Sequence, residues 1–427
     1  MAITTKKTLR NSVVYSVYVR NHTAEGTFQA LRSDLGRIRD LGVDIIWLLP
    51  IHPIGLESRK GTLGSPYAIR NYREINPELG TMEDFKELVS AIHDYGMKCI
   101  IDVVYNHTSP DSWLVTHHPE FFYRTPEGAL GNRIGDWGDI VDLDYSQKGL
   151  WEVQVDTLKM WAGLVDGFRC DVASLLPLDF WLHAREAVAE VNLQCLWLAE
   201  SVEPDFILHL RSRGMTGLSD AEILQAFDVC YDYDIYPYFA GYLSGGNTLS
   251  QYVDRINSQE YTYSDNYVKL RFLENHDRAR AAALLPNEAA WLHWTAFMYF
   301  QKGVPLIYGG QERASVICPD LFGKEPVDWQ SGEDLSWLFQ ALYALKQKEI
   351  MSLGMCRFTA IDEEGAVIGR YAMGQQQLIG VFSLQGRAAE VEVGLGDGIY
   401  QNLIDHREVT VTDGRLYIHN QPIIIEL

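Results

Sequence analysis

The chain has 427 residues, of which 47% are hydrophobic and 22% charged, and a formal net charge of −21. That length suffices for one large domain with an accessory one, and the balance is globular rather than disordered or membrane-like. The acidic excess argues against nucleic acid, whose phosphates need basic surfaces, and against an anionic membrane, and fits a neutral or cationic ligand.

Val13 to Val19 is rich in β-branched and aromatic residues and reads as the first strand. Leu31, Leu35, Ile38 and Leu41 recur at three- and four-residue spacing and predict one helix, ended by Gly42. Val43 to Leu49 is apolar except for Asp44, as expected of a parallel strand buried on both faces. Pro50 to Asn76 is a connection long enough to expect a function of it. Thr81 to Asp84 is a capping signal for a helix with an apolar stripe of Phe85, Leu88, Val89 and Ile92. Lys98 to Val104 is the third strand, and the Pro- and Gly-punctuated stretch from His107 to Tyr145 reads as a small insertion.

A helix near Leu150–Ala162 precedes the fourth strand, Val165 to Asp171, and a helix near Leu178–Val191 precedes the fifth, Cys195 to Ala199. Ala226 to Cys230, Val268 to Leu273 and Val304 to Tyr308 complete eight strand-like segments, and a last helix spans Asp334–Lys348. Alternation of this kind implies βαβ units and a (β/α)8 barrel. A doubly wound sheet is the alternative, because counting strands does not show closure. After Gly354 short alternating strands with Asp397-Gly398 and Asp413-Gly414 turns indicate a small antiparallel β domain. The expected division is a catalytic barrel over 1–106 and 146–353, an inserted subdomain over 107–145 and a C-terminal β-sandwich over 354–427.

Arg169 and Asp171, two apart on a strand, face the same way and form a cation–anion pair that should favour the ionised carboxylate. Taken alone, the pair reads more readily as a structural bridge at the mouth of a barrel. In a (β/α)8 barrel, however, active sites lie at the C-terminal strand ends, and those ends carry Asn106 and His107, Asp171, Glu200, and Asn275-His276-Asp277. Three carboxylates, two histidines and an arginine on one rim suggest acid–base chemistry. No Gly-rich phosphate loop or Cys/His zinc spacing accompanies them. Asp102, on the third strand, is placed to pair with Arg169.

Asp102 to His107, Gly167 to Asp171, Leu198 to Glu200 and Phe272 to Asp277 resemble, in order, the four signature segments of the α-amylase family of glycoside hydrolases, family 13. Gly303 to Glu312 resembles that family's strand-eight segment, Ser65-Pro66-Tyr67 its loop after strand two, and Asp142-Leu143-Asp144 the segment closing its inserted domain. The resemblance implies a retaining α-glucan hydrolase with Asp171 as nucleophile, Glu200 as acid/base and Asp277 as the third carboxylate. Arg169 would keep Asp171 ionised, His107 and His276 would hydrogen-bond the sugar at the point of cleavage, and Tyr67 would stack beneath it. Asn106 and Asp142 match calcium-ligand positions. The Lys-His that follows the nucleophile in many starch-degrading members is Ser174-Leu175 here, however, and the expectation is that no cofactor is required. Ser201-Val202 offers no aromatic platform after Glu200, and the insertion is short, which points to maltooligosaccharides or dextrins. A glucanotransferase, an α-glucosidase or a catalytically dead sugar-binding relative would share much of this pattern.

Met1 to Arg10 is polar and basic with no apolar run behind it, and no apolar run approaches the ~18 residues of a membrane span. Six widely spaced cysteines without a CxxC pair suggest reduced thiols, and together these features lead us to expect a cytoplasmic enzyme. Nothing in the sequence indicates an oligomeric state.

Overall fold

Eight parallel strands close into a ring in the computed structural model, which describes residues 4–135 and 137–427. Met1, Ala2 and Ile3, at the head of the polar N-terminal stretch, and Asp136, within the insertion, lie outside the described residues. The ring consists of β1 (Val14–Val17), β2 (Ile45–Leu48), β3 (Lys98–Val103), β4 (Gly167–Cys170), β5 (Leu196–Ala199), β6 (Val229–Tyr231), β7 (Lys269–Arg271) and β8 (Val304–Tyr308). Val14 of β1 stands opposite Ile45 of β2 on one side and Leu306 of β8 on the other. That double pairing closes the sheet and excludes the doubly wound alternative.

Alternation along each strand sorts the apolar residues into two layers. Val14, Ile45, Trp47, Ile100, Leu198, Tyr231, Leu270 and Leu306 form one cluster inside the ring. Their neighbours Tyr15, Ile46, Ile101, Phe168, Trp197 and Ile307 join the larger cluster beneath the helices. The same alternation puts Asp102 and Arg169, which are register partners on β3 and β4, into the interior with Ile100. Gly167 is what lets β4 lie so close to β5, because a Cβ there would sit 2.3 Å from the carbonyl oxygen of Leu196.

The insertion leaves β3 as a two-residue strand, His107–Thr108, paired antiparallel with Val141–Asp142. Tyr72 donates its hydroxyl to the His107 carbonyl and Tyr145 donates to that of Tyr105, each at 2.7 Å, and so both ends are tied to the rim. The C-terminal region forms two four-stranded antiparallel sheets. Ile368, Ile379, Val381, Val391, Val411, Leu416 and Ile425 fill the space between them. One of these sheets packs Phe358, Tyr371 and Phe382 against Phe300 of the barrel helix Glu288–Phe300.

Several expected elements differ in extent. The single helix expected across Leu31–Leu41 is two, Phe28–Arg32 and Leu35–Asp40, and the chain bends where Asp34 turns back to bind His22 and Arg37. The first strand stops at Val17, after which Val19–His22 is helical and buries Arg20, Asn21 and His22. Met82–Asp94 does carry the expected reciprocal cap between Thr81 and Asp84. Asp413-Gly414 is a hairpin turn with both φ angles positive, at 51° and 72°. Asp397-Gly398 is no hairpin, because the strand before it, Ala389–Glu392, pairs with Arg415–Ile418 instead. Asp397 accepts from the Gly414 N–H at 3.0 Å, which joins the two turns.

Candidate active site

Arg169 is fully buried in the ring, and three carboxylates converge on its guanidinium. Its Nη1 donates to Asp102 at 2.8 and 3.1 Å and to Asp171 Oδ1 at 2.9 Å. Its Nη2 lies 3.0 Å from Glu200 Oε1, an ion pair angled away from a true hydrogen bond. Asp171 is one residue past the end of β4 and Glu200 one past the end of β5, so neighbouring strands deliver both acids to a single cation. With three acids and one arginine, the cluster holds more negative than positive charge.

That surplus, together with burial, changes the expected protonation. Arg169 does pull the Asp171 carboxyl down, but burial outweighs it, and Asp102 and Asp277 add repulsion; Asp171 is raised to about 7. Glu200 is raised to about 8, chiefly by burial and then by the charges of Asp171 and Asp277. Asp102 goes up to about 6 for the same leading reason. Arg169 acts on Asp171 in the direction the spacing suggests, but desolvation is the larger effect and the net shift is upward.

The backbone also holds Glu200. Val172 adopts a left-handed conformation, φ 36° and ψ 45°, which a β-branched residue seldom accepts. There its N–H donates to Glu200 Oε2 at 2.8 Å, while the next N–H, of Ala173, donates to the Glu200 carbonyl at 2.9 Å. On the far side of the pocket Asp277 has a side chain 43% exposed. Its own N–H donates to Asn275 Oδ1 at 2.9 Å, which fixes the turn that carries it.

Tyr67 lies parallel to His276 at 5.4 Å between ring centroids, donates its hydroxyl to Asp102 Oδ2 at 3.1 Å and stands 2.7 Å from His276 Nε2. His276 Nε2 also lies 3.1 Å from Asp277 Oδ2, whereas among the described residues its Nδ1 is buried without a partner. Burial lowers both His276 and His107 to about 4, so both are neutral donors and acceptors at neutral pH. His107, Tyr67, His276, Asp171, Glu200 and Asp277 line one pocket of about 320 Å³. Trp137, Asp139 and Ile140 of the insertion complete a wall of it.

The sequence reading passed over several of the residues around this pocket. Lys60, Trp137 and Asp139 sit in the two long connections singled out for their length but match no motif. Leu321 and Phe322, beyond β8, and the strained Val172 carried no signal in the chain itself.

Asn106 and Asp142 stand apart from the acids, in a second pocket of about 370 Å³. Asp142 Oδ2 accepts from the Arg133 N–H at 2.7 Å, and the Arg133 guanidinium approaches the same oxygen at 3.6 Å and donates to the Leu143 carbonyl at 3.1 Å. Among the described residues Asp142 Oδ1 is buried without a partner, a feature that suits a cation. Against it, Arg133 already brings a positive charge, and among the described residues no three His, Cys, Asp or Glu side chains gather to hold a metal.

Among the described residues no helix is long and apolar enough to cross a membrane. All six cysteines are free thiols, five of them buried.

Comparison with known proteins bears on the same residues. The family described as "Alpha amylase, catalytic domain" matches residues 9–121, and "Bacterial Alpha amylase C-terminal domain" matches residues 357–425. The crystal structure of an α-amylase from Lactobacillus plantarum is 47% identical, with a TM-score of 0.95 over 99% of this chain and 100% of that one. Alpha-amylase MalA of Haloarcula japonica is 29% identical over 71% of this chain and 44% of its own. An alpha-1,4-glucan:maltose-1-phosphate maltosyltransferase of Myxococcus xanthus is 31% identical over 45% of this chain and 32% of its own. The chain therefore spans less than half the length of these two curated relatives. Full-length identity at 47%, on a barrel whose strand ends carry Asp171, Glu200 and Asp277 around one arginine, shows that the chain belongs to the α-amylase family of glycoside hydrolases.

Proposed function

We propose that the chain is a retaining α-glucan hydrolase that cleaves α-1,4-glucosidic bonds in maltooligosaccharides, dextrins or starch. The observation that carries this reading is the pair of carboxylates on opposite nitrogens of Arg169, Asp171 on Nη1 and Glu200 on Nη2. A retaining route needs its two carboxyls ~5–5.5 Å apart, and a shared guanidinium keeps two acids close. Asp171, the first of the pair to lose its proton, attacks the anomeric carbon, while Glu200 gives its proton to the departing glycosidic oxygen. Glu200 then takes a proton from water, and that water releases the sugar from Asp171. The negative surplus around Arg169 favours the positively charged transition state in both steps. Neutral His107 and His276 hydrogen-bond the sugar above Tyr67, and Asp277 binds hydroxyls that tighten their contacts as the ring flattens.

The maltosyltransferase relative favours a second reading, in which a sugar rather than water meets the glycosyl-enzyme. Product analysis on maltoheptaose separates the two, since transfer gives products longer than the substrate. Asp171→Ala abolishes turnover under either reading. Glu200→Gln fails on maltoheptaose but still releases fluoride from an α-maltosyl fluoride, whose leaving group needs no proton. Proton NMR during early hydrolysis shows the α-anomer first; a β-anomeric first product would remove Asp171 from the role of nucleophile.

A further inference from the structure

On one part of the catalytic rim, loops from different strands are cross-linked to one another. Lys60, in the connection after β2, places Nζ 2.8 Å from Asp139 Oδ1 of the insertion, and Asp139 is itself buried. Three residues on, the Leu63 N–H donates to the Phe322 carbonyl at 2.8 Å, which ties the β2 connection to the segment beyond β8. Gly61 lies so close that a Cβ on it would stand 2.6 Å from Phe322 Cβ. From below, buried Arg20, after β1, reaches the Gly64 carbonyl at 3.2 Å and the Leu321 carbonyl at 3.4 Å with the same Nη1. Lys60, Asp139, Leu321 and Phe322 line the same pocket as Asp171 and Glu200.

Ring geometry tells which end this is. The closing residues follow β8, β1 and β2, three adjacent strands, with the insertion bridging to them from β3. Glu200 follows β5, which lies opposite β1 in a ring of eight. An acid/base must face the leaving group, so the cross-linked end is the one that receives the non-reducing part of the glucan.

We propose that this enzyme works from the non-reducing ends of α-glucan chains and releases one short product, because the Lys60–Asp139 bridge and the Leu63–Phe322 seam stop a longer glycone from passing through. This rests on the α-glucan hydrolase reading.

The test compares 4-nitrophenyl maltoheptaoside with the same compound blocked by a 4,6-ethylidene group at its non-reducing end. The unaltered enzyme should cut the blocked substrate at least ten-fold more slowly and give a single dominant short sugar from the free one. Lys60→Ala, which opens the bridge, should raise the blocked-to-free rate ratio about ten-fold and lengthen the products. Lys60→Arg, which can keep the bridge, should hold the original ratio. Equal rates on the two substrates with a spread of early products overturn the proposal while leaving the hydrolase reading intact. An unchanged ratio in Lys60→Ala overturns the part given to the bridge. Failure to cut either heptaoside or α-maltosyl fluoride overturns the hydrolase reading itself.

Discussion

Burial raises the proton affinity of Glu200, and this has consequences for both rate and stability. The reaction needs Asp171 ionised and Glu200 protonated. kcat/KM should therefore rise through about 7 and fall through about 8, a narrow bell whose two limbs belong to the coupled pair. Glu200→Gln assayed on α-maltosyl fluoride should lose the alkaline limb and keep the acid one. For stability the sign follows from proton counting. Both groups hold protons in the folded state at pH values where the unfolded chain has released them, so stability falls as pH rises from the ordinary carboxylate range through about 8. Glu200→Gln should accordingly raise Tm, and by more at pH 9 than at pH 5, in a thermal melt followed by circular dichroism. A variant less stable than the parent at pH 9 would mean that Glu200 is not held against its preference. The strained Val172, whose N–H is fixed on the same carboxylate, belongs to the same bargain between geometry and stability.

The insertion is the element whose chemistry departs furthest from its sequence signals. Asn106 and Asp142 sit where the family resemblance implies calcium ligands, but the chain supplies its own cation in Arg133, packed over the ring of Tyr123 at 4.5 Å. We propose that this element is complete without calcium. Exhaustive chelation should leave both Tm and turnover of the unaltered enzyme unchanged; a loss that calcium restores would overturn the assignment. Arg133→Ala should lower Tm by removing the charge that faces buried Asp142, a cost on the order of 1–3 kcal/mol. Because the insertion also supplies Trp137 and Asp139 to the pocket wall, the same variant should raise KM more than it lowers kcat.

At the scale of the whole molecule, the barrel and the β-sandwich are joined through the helix Glu288–Phe300, and His293 is one of its polar contacts. Its Nδ1 accepts from the Ser383 N–H at 3.2 Å and its Nε2 donates to the His419 carbonyl at 2.9 Å, so one ring spans both sheets of the sandwich. Burial lowers it to about 4, which keeps Nδ1 free of a proton and able to accept. Nearby, Trp294 donates its indole N–H to the Leu384 carbonyl at 3.0 Å. His293→Ala leaves the buried Ser383 N–H unpaired and should cost on the order of 1–3 kcal/mol. Calorimetry should show a lower Tm, with KM unaltered because His293 does not line the pocket of Asp171 and Glu200. A raised KM would mean that the sandwich also shapes the cleft.

The chain by itself determined the elements whose signal is local. Short runs of β-branched and apolar residues marked the barrel strands, Thr81 and Asp84 marked a helix start, and Asp413-Gly414 marked a hairpin, because each depends on residues within a few positions of one another. The ordered acids at strand ends were legible for the same reason, since strand direction puts Arg169 and Asp171 on one face. What only the tertiary structure decided are the effects of residues far apart in sequence. Closure of the ring rests on β1 meeting β8, nearly three hundred positions away. Burial around Arg169 outweighs the attraction that the Arg169–Asp171 spacing suggested, because desolvation depends on every neighbour and not on one. Asp397-Gly398 failed as a hairpin because strand pairing is settled by the sheet rather than by the turn. Lys60, Asp139 and Phe322 matter only because three loops from different strands meet, and no spacing along the chain records that meeting.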